Sequence, residues 1–122
     1  MLTNNFLLDI TKYLNGEVGE LITHLAFSSD AITPGATDTS VSGQLGSRIS
    51  ISNSRSSTEP IVTFSGLRSG AVASSSGDYI NLGALFTDAS MGTLMAEAVV
   101  PSILHTSDFD FEVDWSVTIG RK

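Results

Sequence analysis

The stretch "DFDFEVDWSVTIG", residues 108–120, decides the fold class of this chain. Apolar side chains occupy every second position from Phe109 to Ile119, and acidic or hydroxyl side chains fill the positions between them. Strict alternation of this kind is typical of a β-strand that buries one face and shows the other to water. We therefore predict a final strand in which Phe109, Phe111 and Trp115 point into the core.

Four carboxylates, Asp108, Asp110, Glu112 and Asp114, lie on the other face of this predicted strand. Residues two apart on a strand are separated by about 6.6 Å, so the carboxylates form a row, whereas calcium requires about six to eight converging oxygens. A glycosidase pair about 5 to 10 Å apart would fit any such row and is therefore uninformative. The chain also lacks nucleophile-elbow, HExxH and P-loop motifs. We interpret the row as a solvated face and predict a non-enzymatic protein without catalytic residues, cofactor or metal ligands.

The rest of the chain has the texture of an all-β protein. From about residue 20 onward, short runs rich in Ile, Val, Phe and Thr alternate with Gly, Ser, Pro and Asp. We predict an antiparallel β-sandwich or jelly-roll-like domain over about residues 20–120. The runs "SRISISNSRS" and "IVTFSGLRSG" are expected to pair as a hairpin, with Gly66 as a possible bulge. At 122 residues the chain, 1–122, fits a single domain.

The first segment predicts one short amphipathic helix over about residues 3–15. Thr3, Asn4 or Asn5 is a suitable cap at its start, and Gly16 follows as a stop. The helix either covers the sheet or docks on a neighbouring subunit through its apolar stripe. A second candidate contact is "AEAVVPSIL", an almost unbroken apolar run that is expected to be covered on both faces. The candidate assembly interface consists of Phe6, Ile10, Tyr13, Val99, Val100, Ile103 and Leu104.

Composition excludes several classes of partner. The formal charge of −7 and the pI near 4.4 repel phosphate backbones and anionic lipids, so we predict no nucleic-acid binding. The sequence has no apolar segment of about 20 residues, which predicts no membrane insertion. The lack of cysteine excludes disulfides. The acidic excess would also suit a protein kept soluble in concentrated salt.

The segment "INLGALFTDASMGTLMAEAVVPSILHTSDFDFEVDWSVTIG", residues 80–120, resembles a pattern found in tail-fibre and related virion proteins of tailed viruses. In that pattern a Gly-Leu-Phe strand precedes a glycine turn, a Leu-x-Ala-x-Ala strand, a proline and a final strand with tryptophan. The matching positions are Gly83, Leu85, Phe86, Ser90, Gly92, Leu94, Ala96, Ala98, Pro101 and Trp115 to Ile119.

The middle of the chain, "THLAFSSDAITPGATDTSVSGQLGSR", is similar to the same family. The matching positions are Thr33, Pro34, Asp38, Thr39 and Arg48. Gln44 stands where an acidic residue is usual in that family, and Glu97 stands where a basic one is common. Ala84 is inserted within the Gly-Leu-Phe pattern, and Ser28 and Ser29 replace glycine.

The resemblance implies a structural component on the exterior of a tailed-virus particle. It would be associated with a tail fibre or baseplate, or form a capsid turret or decoration. It would assemble as a symmetric trimer, pentamer or hexamer and contact other virion proteins. The alternative is a glycan- or receptor-binding module on the virion surface, which would need aromatic side chains on exposed loops. Near the loops around Pro34 and Ser75 the sequence offers only Tyr79.

Overall fold

A computed structural model of the chain describes residues 1–120. The elements are α1 (Asn4–Leu14), β1 (His24–Ser28), β2 (Ile49–Ser50), β3 (Ser52–Arg55), β4 (Ile61–Arg68), β5 (Asp78–Phe86), β6 (Leu94–His105) and β7 (Phe111–Thr118). The strands form a four-stranded antiparallel sheet in the order β2-β1-β5-β6 and a three-stranded antiparallel sheet in the order β3-β4-β7. The prediction of an all-β sandwich with one short N-terminal helix is confirmed.

The helix α1 begins and ends where its capping residues predict. The hydroxyl oxygen of Thr3 accepts a 3.4 Å hydrogen bond from the backbone N–H of Phe6, as an N-cap residue does. The helix stops at Asn15, and Gly16 follows with a φ of +76°, a conformation that glycine adopts without strain. Ahead of the helix, Leu2 bridges Ala96, so the first residues extend the four-stranded sheet beyond β6.

One continuous segment crosses from one sheet to the other. Ile49–Ser50 pairs with β1, and after Ile51 the residues Ser52–Arg55 pair with β4. The predicted hairpin is confirmed for β3 and β4, but its first two residues belong to the opposite sheet. The bulge predicted at Gly66 is wrong, since the pairing of β4 with β7 is unbroken. A Cβ at Gly66 would lie only 3.0 Å from Ile51 Cγ2, so glycine here permits the two sheets to approach closely.

The four-stranded sheet is buried on both faces. A bulge in the β5–β6 pairing between Ile80 and Leu82 places these two residues on opposite faces. The segment 29–47 covers the outer face, where Val41 packs. The inner cluster contains Leu25, Phe27, Phe64, Ile80, Leu85 and Ala96. The outer cluster contains Ala26, Leu82, Ala84, Phe86 and Leu94.

The last strand is shorter than its alternation predicts. β7 begins at Phe111, and Phe109 lies in the preceding loop with 42 % of its surface exposed, so its assignment to the core is wrong. The physical reason is that the loop backbone has other partners. The Asp110 carboxylate accepts a 2.9 Å hydrogen bond from the Gly70 N–H, and His105 Nε2 lies 2.8 Å from the Phe109 carbonyl oxygen. Phe111 and Trp115 do pack against the inner cluster, as predicted.

Candidate assembly surface

An apolar groove runs between α1 and the three-stranded sheet. Its volume is about 390 Å³, and we call it the helix groove. The predicted interface residues Phe6, Ile10 and Tyr13 line one wall, and Val117 and Ile119 at the end of β7 line the other. The helical stripe recognised in the sequence therefore faces a space that residues 1–120 leave unfilled.

Large apolar side chains also protrude from α1 and the segment that follows it. Five of them are between 53 % and 93 % exposed: Leu7, Leu8, Leu14, Val18 and Leu21. Of these, Leu21 lines the helix groove, whereas Leu8 lies on the opposite side of α1 from Phe6 and Ile10. Single exposed apolar residues are ordinary, but several on one helix and the adjoining segment are typical of a contact surface. Leu7 and Leu8 were not among the predicted interface residues. Their sequence positions could have indicated exposure, because they lie on the side of the helix away from the recognised apolar stripe.

A second opening lies between β6 and β7, the last strands of the two sheets. It has a volume of about 250 Å³, and we call it the edge cleft. Ala98 and Val100 of β6 line it on one side, and Val113 and Trp115 of β7 line it on the other. A Cβ on Gly83 would lie 3.4 Å from the Trp115 ring, which is an ordinary van der Waals distance, so this ring packs over the glycine. The apolar interior of the sandwich is therefore accessible from this side.

The seven predicted interface residues do not form one surface. Phe6, Ile10 and Tyr13 share the helix groove, whereas Val100 lines the edge cleft. The other three lie elsewhere on β6: Val99 is 56 % exposed, Ile103 is half-buried opposite Ile80, and Leu104 is exposed opposite Tyr79. The run "AEAVVPSIL" was expected to be covered on both faces, but consecutive residues are buried only at its start, at Ala96 and Glu97. The sequence reasoning missed Val113 as a lining residue, because a residue on the inner face of a strand was assigned to the core.

The acidic row is confined to two residues on the strand. Glu112 and Asp114 lie on the outward face of β7, whereas Asp108 and Asp110 belong to the loop before it. All four are exposed, and Asp114 accepts a 2.7 Å hydrogen bond from the Ser65 hydroxyl. Within residues 1–120 no group of three or more His, Asp or Glu side chains is placed to hold a metal ion. The same part of the chain has no helix that is long and apolar enough to cross a bilayer.

A buried polar network lies at the start of β7. Arg68 donates hydrogen bonds to the Asp78 carboxylate at 2.8 Å and to His105 Nδ1 at 2.6 Å. Because Nδ1 accepts from a guanidinium, Nε2 carries the imidazole hydrogen and donates it to the Phe109 carbonyl. The Arg68 guanidinium lowers the pKa of Asp78. Arg68 and His105 are both buried, so this network belongs to the interior of the fold.

Two carboxyl groups meet beneath the segment 29–47. Glu97 is 1 % exposed, and its Oε2 atom has no hydrogen-bond partner within the described chain. Burial, and after it the adjacent Asp38, raise the pKa of Glu97 to about 7. Asp38 also accepts a 2.9 Å hydrogen bond from the Gly35 N–H within the covering segment. The sequence reasoning noted Glu97 only as a departure from the virion family.

No protein-family model, curated protein or solved structure matches this chain significantly. The resemblance to virion proteins of tailed viruses therefore stays a prediction, and the function is argued from the surfaces described above.

Proposed function

We propose that this protein is a non-enzymatic structural β-domain that assembles with copies of itself through the helix groove and the exposed apolar side chains of α1 and the segment that follows it. The observation that carries the proposal is the 390 Å³ helix groove together with these five exposed side chains. Water in contact with this much apolar surface is unfavourable, and association of two copies removes it.

The same segment supplies both halves of such a contact. Leu8 protrudes from the side of α1 opposite the Phe6 and Ile10 side chains that line the helix groove, and Leu14 protrudes from the last turn of the helix. A heterologous contact that places protruding side chains of one copy in the groove of the next closes into a ring when its rotation closes. Trimers, pentamers and hexamers are assemblies of this kind, which agrees with the assembly that the resemblance implies.

We further propose that the assembly belongs to the exterior of a tailed-virus particle, at the tail or on the capsid. This part of the proposal is supported by the resemblance of residues 80–120 and of the middle segment to virion proteins. Immunogold labelling of intact particles tests it, since gold at the tail, fibre or vertex supports a virion protein. Gold absent from every particle in a preparation that still contains the protein would contradict it.

Sedimentation velocity of the purified chain tests self-association. Leu8→Asp and Leu14→Asp place charges on the proposed contact, and both positions are exposed, so the fold should be retained. We expect wild type to sediment as a discrete oligomer and the double variant as a monomer. Val72→Asp is the matched control, because Val72 is also exposed but lies in a short 3₁₀ turn near the start of β7, away from the helix groove. A monomeric wild type, or a control that dissociates equally, would refute the proposed contact.

A further inference from the structure

The outer edge of β7 is unpaired. β7 pairs with β4 from Phe111 to Thr118, and no other strand within residues 1–120 lies beside it. Such an edge presents backbone N–H and C=O groups that an added strand can pair with. We propose that this edge binds an extended segment of another protein in which apolar and cationic side chains alternate.

The apolar half of this partner is defined by the edge cleft. The two sheets have four and three strands, and β6 and β7, each the end strand of its sheet, both border the open edge cleft. Ala98 and Val100 on β6 therefore remain in contact with the open cleft of about 250 Å³. A strand added to β7 gives four strands on each side, and its inward side chains enter the cleft next to Val113 and Trp115.

The cationic half is defined by the outward face of β7. Glu112 and Asp114 are exposed on that face, two positions apart on the edge strand. Alternate residues of an added strand have the same spacing of about 6.6 Å, so two cations two positions apart each lie beside one carboxylate. Opposite charges across neighbouring strands attract, and the overall charge of −7 favours the approach of a cationic segment.

A second copy of the chain does not fit this edge. Antiparallel pairing of two β7 strands over most of their length sets Asp114 directly opposite or diagonal to its own copy, and like charges so placed repel. The chain also contains no suitable segment of its own, because no two of its cations are two positions apart. These cations are Lys12, Arg48, Arg55, Arg68, Arg121 and Lys122.

Binding of a designed peptide to the full chain tests the proposal. The probe is an eight-residue peptide of alternating valine and lysine, which matches the eight residues of β7. The comparison peptide alternates valine with glutamate. We expect isothermal titration calorimetry to detect binding of the lysine peptide only. Amide chemical-shift changes in the ¹⁵N-labelled protein should centre on β7 and the facing residues of β6.

Charge variants of the protein provide the control. Glu112→Gln together with Asp114→Asn should weaken binding of the lysine peptide by about tenfold. Glu17→Gln together with Glu59→Gln removes the same charge from exposed positions elsewhere and should have little effect. If the double variant at β7 unfolds, Glu112→Gln alone is tested instead. Asp114 is then left in place because it accepts the hydrogen bond from the Ser65 hydroxyl.

Four results would overturn the proposal: no binding, equal binding of both peptides, equal loss in the two double variants, or shift changes confined to the helix groove. A separate test asks whether a second copy of the chain binds at the β7 edge. Because the chain has no cysteine, a Ser116→Cys variant reports on β7–β7 contact through disulfide formation. Efficient oxidation to a dimer would assign the edge to self-association instead. Sedimentation of the Leu8 and Leu14 variants is independent of these readouts, so failure here leaves the proposed self-assembly through the helix groove open to its own test.

Discussion

Replacing Glu97 by glutamine should remove a pH dependence of stability that originates in the buried carboxyl pair. Glu97 is buried beside Asp38, and burial is the main reason that its pKa rises from 4.5 to about 7. The N-terminal ammonium of Met1 opposes this shift, but the net direction is upward. At about 1.4 kcal/mol per pH unit, the interval between the two pKa values corresponds to roughly 3 kcal/mol in the free energy of unfolding.

The sign follows from which state holds the proton. Below pH 4.5 Glu97 is protonated in the folded and the unfolded chain, so it makes no difference to stability. As the pH rises toward 7, the unfolded chain releases the proton while the folded chain retains it, and the free energy of unfolding falls. Above this range both states are ionised and the loss is complete. Asp78 titrates below this window, because Arg68 lowers its pKa from 3.8.

Urea unfolding at pH 5 and pH 8 measures the effect, with fluorescence of Trp115, the only tryptophan, as the probe. Wild type should lose about 2.5 kcal/mol between the two pH values, because part of the loss has already occurred at pH 5, whereas Glu97→Gln should change by less than about 1 kcal/mol. The variant should therefore be the more stable protein at pH 8. Glu112→Gln at an exposed position is the control and should follow wild type. If Glu97→Gln lost stability as steeply as wild type, the reasoning from the buried pair would be refuted.

Two further substitutions test other buried groups. Asp78→Asn removes the charged partner of buried Arg68 and should lower the free energy of unfolding by about 3 kcal/mol, as measured by urea titration at pH 7. Thr3→Ala removes the cap of α1 and the 2.7 Å hydrogen bond from the Thr3 hydroxyl to the Leu94 carbonyl. Thermal unfolding should show that this substitution lowers the free energy of unfolding by about 1 to 2 kcal/mol. Thr11→Ala on the exposed side of the same helix should change it by less than about 0.5 kcal/mol. Equal effects at both threonines would contradict the capping role.

Much of the fold was predictable because it depends on local pattern. Period-two alternation identified β7, the apolar run identified β6, and the cap at Thr3 with the stop at Gly16 bounded the helix. These signals depend on neighbours in sequence, so a single chain displays them. The same logic failed at Phe109, where alternation continued through a loop that is held by the Asp110 carboxylate on Gly70 and by His105 on the Phe109 carbonyl.

The remaining features depend on contacts between residues far apart in sequence. No sequence pattern near these residues indicates that Glu97 lies beside Asp38, or that His105 accepts a hydrogen bond from Arg68. The change from one sheet to the other at Ile51 is also not visible in the sequence pattern, because the residues on both sides of it have strand character. The site residues were therefore predictable as apolar positions, but their division between a helix groove and an edge cleft was not.

The two proposed surfaces differ in chemistry, and ionic strength should therefore separate them. The helix groove is lined mainly by apolar side chains, and each copy of the chain carries a formal charge of −7, so screening reduces repulsion between copies. The β7 edge attracts its partner through Glu112 and Asp114, and screening weakens that attraction. Raising sodium chloride from about 0.01 M to about 0.15 M shortens the Debye length from about 30 Å to about 8 Å. Self-association measured by sedimentation should strengthen over this range while affinity for the lysine peptide declines. If both changed in the same direction, the two contacts would not have the distinct chemistry assigned to them.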